Sequence, residues 1–299
     1  MNRTVYVLTG PTGVGKSALA MDWACRNNAV IIAADSVQVY RGYDIGSAKP
    51  SASDRQQVPH ALIDVREWNE PYSAADYVHD ADAAIAAAWA DGRTALIVGG
   101  TGLYIRSLIF GLAQSPAVPV ELRQALTDEA EQVGDDVMWG RLQIVDPASA
   151  ARIHARDRMR VVRALEVYVH TGRTMSSWHD DHGMNQPRYD VRGVVLNCER
   201  EELWRRIAAR TSRMLEAGLV DEVRSLLAVG HAPDCPAMMS IGYRQVVEWL
   251  ELDGRDYAAL SRSIAIVSRQ YAKRQLTWFR GQTDFDWLEA DSAARLPWL

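Results

Sequence analysis

At 299 residues, 48% hydrophobic and 24% charged, the chain can bury one sizeable core with room for an inserted subdomain. A net charge of −5 excludes binding nucleic acid through the overall field, so any polyanion must be held by local basic patches. No apolar run is long enough to span a membrane, and because Met-Asn-Arg-Thr runs straight into a strand no signal peptide is expected. Cys25, Cys198 and Cys235 are too scattered for a disulfide framework or a cysteine zinc site, so a reducing cytoplasm is expected.

Val5 to Leu8 is a short apolar run that reads as a buried strand, and Ser17 opens a helical pattern. Between them Gly10, Thr12, Gly13, Val14, Gly15, Lys16 and Ser17 have the spacing of a phosphate-binding P-loop in its strand-to-helix setting. The glycines let successive N–H groups converge on one anion, and the helix start and Lys16 add positive charge. The Ser17 hydroxyl can ligate Mg²⁺. A di- or triphosphate is the expected ligand.

Ala29 to Ala34 reads as a second buried strand ending at Asp35-Ser36. Ligands of an open parallel sheet sit outside the carboxyl ends of its strands, which puts Asp35 at the P-loop crevice. Capping of the following turn is the alternative use of such an Asp. Val37 to Pro50 is too rich in Gly and polar residues for a packed element and reads as a loop; His60 to Val65 suggests a strand. A capping box at Ser73 and Asp76 starts an Ala-rich helix that stops at Gly92. The next strand, Thr94 to Val98, ends in Gly99-Gly100-Thr101-Gly102, where a P-loop NTPase usually carries its Mg-binding Asp.

From Pro116 the texture changes to four helical patterns, 120–133, 135–145, 147–153 and 157–171. Arg152, Arg156, Arg158, Arg160 and Arg163 stand there against only Asp157, as either a solvated face or an anion site. Ser176 to Tyr189 reads as an irregular connection, and its His179-Asp-Asp-His182 resembles a metal site in composition alone. Val191 to Asn197 is a strand, followed by a helix from Glu201 to Gly218 with Arg206, Arg210 and Arg213 on one face. Met238 to Gln245 opens another helix. The last helix, Ala258 to Arg280, has no acid. Its Arg262, Arg269, Lys273 and Arg280 lie within roughly 20° of one line at about 100° per residue. Leu260, Ile264, Val267, Tyr271 and Leu276 supply an apolar face, and the uncompensated stripe points to a phosphate backbone. The expected fold is α/β: a P-loop NTPase-like parallel sheet core (1–115 and 190–299) with an inserted all-helical subdomain (116–189).

Six separated motifs, in order along the whole chain, resemble the tRNA dimethylallyltransferases. They are the P-loop, Asp35-Ser36 through Tyr40, Gly42 and Asp44 to Pro50, Val98-Gly-Gly-Thr-Gly-Leu-Tyr104, Arg163-Ala-Leu-Glu-Val, Gly242-Tyr-Arg-Gln245 and Lys273-Arg-Gln-Leu-Thr-Trp-Phe-Arg280. The family transfers a dimethylallyl group from its diphosphate to N6 of adenine 37 in the tRNA anticodon stem-loop. The resemblance implies that Thr12 to Ser17 hold the donor diphosphate and Mg²⁺, and the Arg210 charge is suited to stabilising the diphosphate as it leaves. It implies Asp35 as general base and Thr101 at the reaction centre. Asp35, Ser36, Val37, Gln38, Thr101, Arg123, Met159, Arg160, Arg163, Gly242, Tyr243, Arg244, Gln245, Lys273, Arg274, Gln275, Trp278 and Arg280 would contact tRNA, with the chain acting as a monomer. The family's usual Gln stands as Met159 here, which cannot make that side chain's hydrogen bonds; Arg160 keeps the phosphate-binding half of the motif. Three other functions stay open on the residues alone: a P-loop kinase of a small metabolite, a nucleotide-driven RNA-binding switch, and a transferase acting on free adenine nucleotides.

Overall fold

The computed structural model describes residues 3–112, 116, 118–182, 186–252, 254–282 and 284–290. Its strands are β1 (Thr4–Thr9), β2 (Ala29–Ala34), β3 (His60–Ala61), β4 (Thr94–Gly99), β5 (Asp190–Asn197) and β6 (Asp286–Glu289). They form one parallel sheet in the order β3-β2-β4-β1-β5-β6. The central strands are near-continuous Val, Ile, Leu and Ala because parallel sheets are covered on both faces.

In chain order the helices begin with α1 (Lys16–Arg26), α2 (Ala52–Gln57), α3 (Ala74–Ala90) and α4 (Gly102–Phe110). There follow α5 (Val120–Val133), α6 (Asp135–Val145), α7 (Pro147–Ala150), α8 (Arg158–Thr171) and α9 (Met175–His182). Then come α10 (Arg200–Glu216), α11 (Leu219–Ala228), α12 (Tyr243–Glu251) and α13 (Tyr257–Gln282). None of the described helices is long and apolar enough to cross a membrane. The chain divides into two compact units, Met1–Ile109 with Pro187–Leu299, and Phe110–Gln186.

The second unit is all-helical among its described residues. Leu126 and Ala130 of α5, Met138 and Leu142 of α6, and Val161, Val162, Ala164 and Leu165 of α8 make its core. Asp146 is buried where α6 ends. It accepts hydrogen bonds from Ser149 N (3.0 Å) and Ser176 N (3.0 Å), tying α7 to α9.

Several expectations need correction. Ser176 to Tyr189 is not irregular throughout, since α9 occupies its first part; 183–185 lie outside the described residues. The pattern at 147–153 yields only one helical turn, and His60 to Val65 only a two-residue strand, because Leu62 and Asp64 take positive φ. The helix expected to open at Met238 starts at Tyr243, after Gly242 at φ +98°. Val37 to Pro50 has no helix or strand, yet it is packed. Val39, Tyr40 and Tyr43 are buried in a second core with Val220 and Val223 of α11 and Tyr243 and Val246 of α12. Aromatics spaced between glycines carry that packing without any periodicity to announce it.

Gly46 in this segment has no room for a side chain, since a Cβ would stand 2.3 Å from the Tyr243 ring. Gly46→Ala should therefore lower stability by about 1–3 kcal/mol through overpacking. Urea unfolding would show an earlier midpoint at unchanged slope; an unmoved midpoint would mean that the loop yields freely.

Candidate active site

Three neighbouring strands end level with one another. Thr9 pairs with Gly99, and Gly99 with Ala34, so Gly10, Gly100 and Asp35 leave the sheet side by side. The level matters because it brings an anion-binding loop, a glycine turn and a carboxylate to one crevice. Two glycines are sterically required. A Cβ on Gly10 (φ +142°) would stand 2.5 Å from Leu196 O, and one on Gly99 would stand 2.0 Å from Ala34 O. The second clash explains the missing acid of an NTPase: no side chain fits at the end of β4.

Distant helices shape the P-loop. Gln275 of α13 accepts a hydrogen bond from Thr12 N (2.8 Å) and donates one to Gly100 O (2.8 Å). From α10, Arg206 donates to Val14 O (3.1 Å) and Arg210 to Thr12 Oγ1 (3.1 Å). Lys16 folds back onto its own loop, donating to Gly10 O and Pro11 O at 2.9 Å each. Burial, then the charge of Arg210, brings the Lys16 pKa from 10.5 down to about 7, against an opposing pull from Asp35. The negative charge of an anion in the loop would oppose both causes and favour the protonated amine.

Asp35 combines both readings of its sequence position. Oδ1 accepts from Val37 N (2.9 Å) and Gln38 N (3.3 Å), capping the turn. Oδ2 accepts no hydrogen bond from the described residues. Thr101 accepts from Ser36 N (3.2 Å), which joins the β4 turn to the Asp35 turn.

Two cavities meet at these residues. The larger, about 980 Å³, is lined by Lys16, Ser17, Gln38, Arg206 and Arg213. The smaller, about 330 Å³, is lined by Ser36, Val37, Met239, Ile241 and Arg274. Thr12, Asp35, Ser47, Arg210 and Tyr271 line both. Tyr271 was missed as a site residue and assigned only to the apolar face. Burial, then the Asp35 charge, pushes its pKa up to about 12, with the neighbouring Thr101 and Gln275 side chains pulling the other way. Its signal was the shared helical face with Gln275 and Trp278, four and seven residues on.

A Mg²⁺ site can be tested on the donor set. The Ser17 hydroxyl lines the larger cavity, and the described residues contain no cluster of three His, Cys, Asp or Glu. That set fits only an ion carried mainly by phosphate oxygens and water, which is how Mg²⁺ usually binds beside a diphosphate. The 179–182 motif forms no such cluster: Asp181 pairs with Arg173 (2.5 Å), and the His182 side chain lies outside the described residues.

The residues expected to touch RNA separate into groups. Tyr243 is buried, donating to Glu222 (2.6 Å) and accepting from Gly46 N (3.1 Å), while Gln245 caps its own helix through Gly242 N (2.8 Å). Trp278 fills the space beside Gly102. With Gln275, these side chains take part in holding the scaffold. Arg244 is exposed and pairs with Glu248 (2.7 Å). Lys273 and Arg280 point away from the crevice, whereas Arg274 faces the smaller cavity. In the second unit, Arg123 grips the buried Glu166 with two bonds (2.9 and 3.0 Å), and Arg163 joins them. Burial would raise the Glu166 pKa, but the two arginines win and hold it below the usual range. Arg158 pairs with Asp135 and Arg160 with Asp157, so the arginine run is less bare than its sequence suggests. Met159 is 81% exposed.

A profile of the IPP transferases matches residues 38–282. The chain is 46% identical to tRNA dimethylallyltransferase 1 of Citrifermentans bemidjiense, over 95% of this chain and 92% of that one. The chain belongs to the IPP transferase family. The same family supplies a relative in Heliobacterium modesticaldum at 43% identity, covering 97% and 90% of the two chains. Among solved structures, the tRNA isopentenylpyrophosphate transferase of Bacillus halodurans is 34% identical, with a TM-score of 0.70 over 97% of this chain and 90% of that one. A eukaryotic dimethylallyltransferase acting on tRNA aligns with a TM-score of 0.81 at 27% identity, over 96% and 74%.

In this IPP transferase, Lys16 gives the loop a pH dependence. Below pH 7 it is protonated with or without an anion; above, the empty site has lost the proton that an anion restores. Affinity for inorganic diphosphate should therefore fall as pH rises from about 7 to about 9, by up to tenfold per unit. Lys16→Met should flatten that fall in calorimetric titrations. Parallel pH profiles for the two proteins would contradict the assignment.

Proposed function

We propose that this IPP transferase moves a dimethylallyl group from dimethylallyl diphosphate to N6 of adenine 37 in a tRNA anticodon stem-loop, releasing diphosphate. The observation that carries the reading is the meeting of two cavities at Asp35, one lined by the anion loop and the other by polar and apolar groups suited to a base. In this reading the diphosphate lies in the larger cavity against the Thr12–Ser17 loop, with Lys16 and Arg210 on its oxygens. The adenine leaves its stack and enters the smaller cavity, as enzymes acting on a base commonly require.

The exocyclic amine is a poor nucleophile because its lone pair is delocalised into the ring. As N6 bonds to the allylic carbon, the carbon–oxygen bond to diphosphate breaks and the N6 proton passes to Asp35 Oδ2. Thr101 orients the acceptor beside that carboxylate. The leaving group gathers negative charge, and preorganised N–H groups, Lys16 and Arg210 stabilise it most where water is excluded. Mg²⁺ bound through Ser17 would supply further neutralisation of that charge. Arg274 and Arg244 meet the RNA near the reacting base. Lys273, Arg280 and the second unit's Arg123, Arg160 and Arg163 meet its phosphates, and Met159 packs on it without hydrogen bonds. The protein acts as a cytoplasmic monomer.

Mass spectrometry of tRNA nucleosides after incubation with protein, donor and Mg²⁺ should show N6-isopentenyladenosine. Asp35→Asn should slow its formation by about 10²–10⁴-fold, the usual worth of a positioned base, at unchanged donor affinity. Phosphorylated metabolite from ATP, with unmodified tRNA, would replace this reading with a kinase.

A further inference from the structure

The cations of α13 lie on its far side. At about 100° per residue, Arg269, Lys273 and Arg280 sit roughly 160–200° around the helix from Tyr271, which faces the crevice. They surround a separate hollow of about 500 Å³ between α10 and α13, whose lining includes Arg200, Trp204 and Thr277. Three cations converge on one indole there. Arg200 Cζ stands 4.1 Å from the Trp204 ring centroid, Arg269 Cζ 5.5 Å and Lys273 Nζ 5.8 Å.

The ring attracts each cation, but they repel one another, and nearby acids are already occupied. Glu199 accepts from Glu201 N (2.7 Å) and Glu202 N (3.0 Å) at the start of α10, and Glu202 pairs with Arg205 and Arg206. Glu289 takes the Asn197 amide at 3.1 Å. Among the described residues no acid pairs with Arg200, Arg269, Lys273 or Arg280, and Arg269 Nε is buried without a hydrogen-bond partner. The hollow is a set of cationic donors around an aromatic platform.

We propose that the Trp204 cluster is a phosphodiester site that holds the substrate RNA by its backbone, away from the reacting nucleotide. Trp204 orients Arg200 and Arg269, which add to Lys273 and Arg280 as phosphate donors. The inference rests on tRNA being the substrate. It adds a contact with no part in chemistry, one that favours a long structured RNA over a short strand offering the same adenine. A free polyphosphate has the same chemistry, so the test separates the two sources.

The test measures tRNA affinity against KCl concentration for wild type, Arg200→Gln/Arg269→Gln and Trp204→Leu. The double variant should weaken tRNA binding about tenfold or more at 0.1 M salt, and lower the salt slope by one to two, since each phosphate contact contributes a slope of roughly 0.7–0.9. Trp204→Leu should move both in the same direction by less. Affinity for dimethylallyl diphosphate, and transfer to a short single-stranded oligonucleotide with the reactive adenine, should stay at wild-type values. An unchanged slope would overturn the site, as would equal losses on tRNA and oligonucleotide. Inorganic triphosphate binding that both variants abolish, beside an unaltered tRNA slope, would assign the hollow to a free polyphosphate and overturn it too. Failure of the parent reading looks different: wild-type protein then leaves tRNA unmodified, whatever the salt slope.

Discussion

The side-chain amide of Gln275 joins the end of β1 to the end of β4, and the crevice depends on it. One end takes the N–H of Thr12, the other donates to the carbonyl of Gly100. Each bond contributes only about 0.5–1.5 kcal/mol net, but a buried group left unpaired costs about 1–3 kcal/mol. The residue is buried, so the larger number governs. With Arg206 and Arg210 reaching from α10, the anion loop takes its shape from helices some two hundred residues downstream. Gly100 and Gly102 keep their small side chains for the same reason: Gln275 and Trp278 occupy the space a Cβ would need.

The charges around this clamp suit an anion. Lys16 and Arg210 are both half-buried, and desolvation lowers the pKa of each, while the Asp35 carboxylate pulls the other way. An anion between them would relieve the repulsion of the two cations. Asp35 itself divides its work: one oxygen secures the turn, leaving the other toward the junction of the cavities. A carboxylate fixed through one oxygen is aimed without being neutralised, which suits a base that must accept a proton at a set position.

Much of this was legible because strong local patterns carry it. The P-loop, the strand-end position of Asp35 and the glycine turn at Gly99 each announce themselves over a few residues, and the helices at 120–133 and 135–145 fall where their apolar spacing puts them. What stayed hidden depends on distant partners. Tyr271 is an apolar-face residue until Thr101 is known to lie beside it, and Gln275 is one polar residue in a basic helix until its two backbone partners come from 12 and 100. The buried loop at 37–50 follows no period, since its packing belongs to α11 and α12. The spacing of the basic stripe gives a line along the helix, but its direction, away from the crevice, depends on the opposite face packing against the P-loop.

The central claim is that one carboxylate oxygen meets the acceptor amine where the two cavities join. Its most direct measurement is a crystal structure of the protein with a tRNA anticodon stem-loop and an unreactive thio-analogue of dimethylallyl diphosphate. The account predicts Asp35 Oδ2 within about 2.6–3.2 Å of the adenine N6, with the diphosphate on the Thr12–Ser17 loop. An adenine bound elsewhere, or Oδ2 turned from N6 with the donor in place, would contradict it.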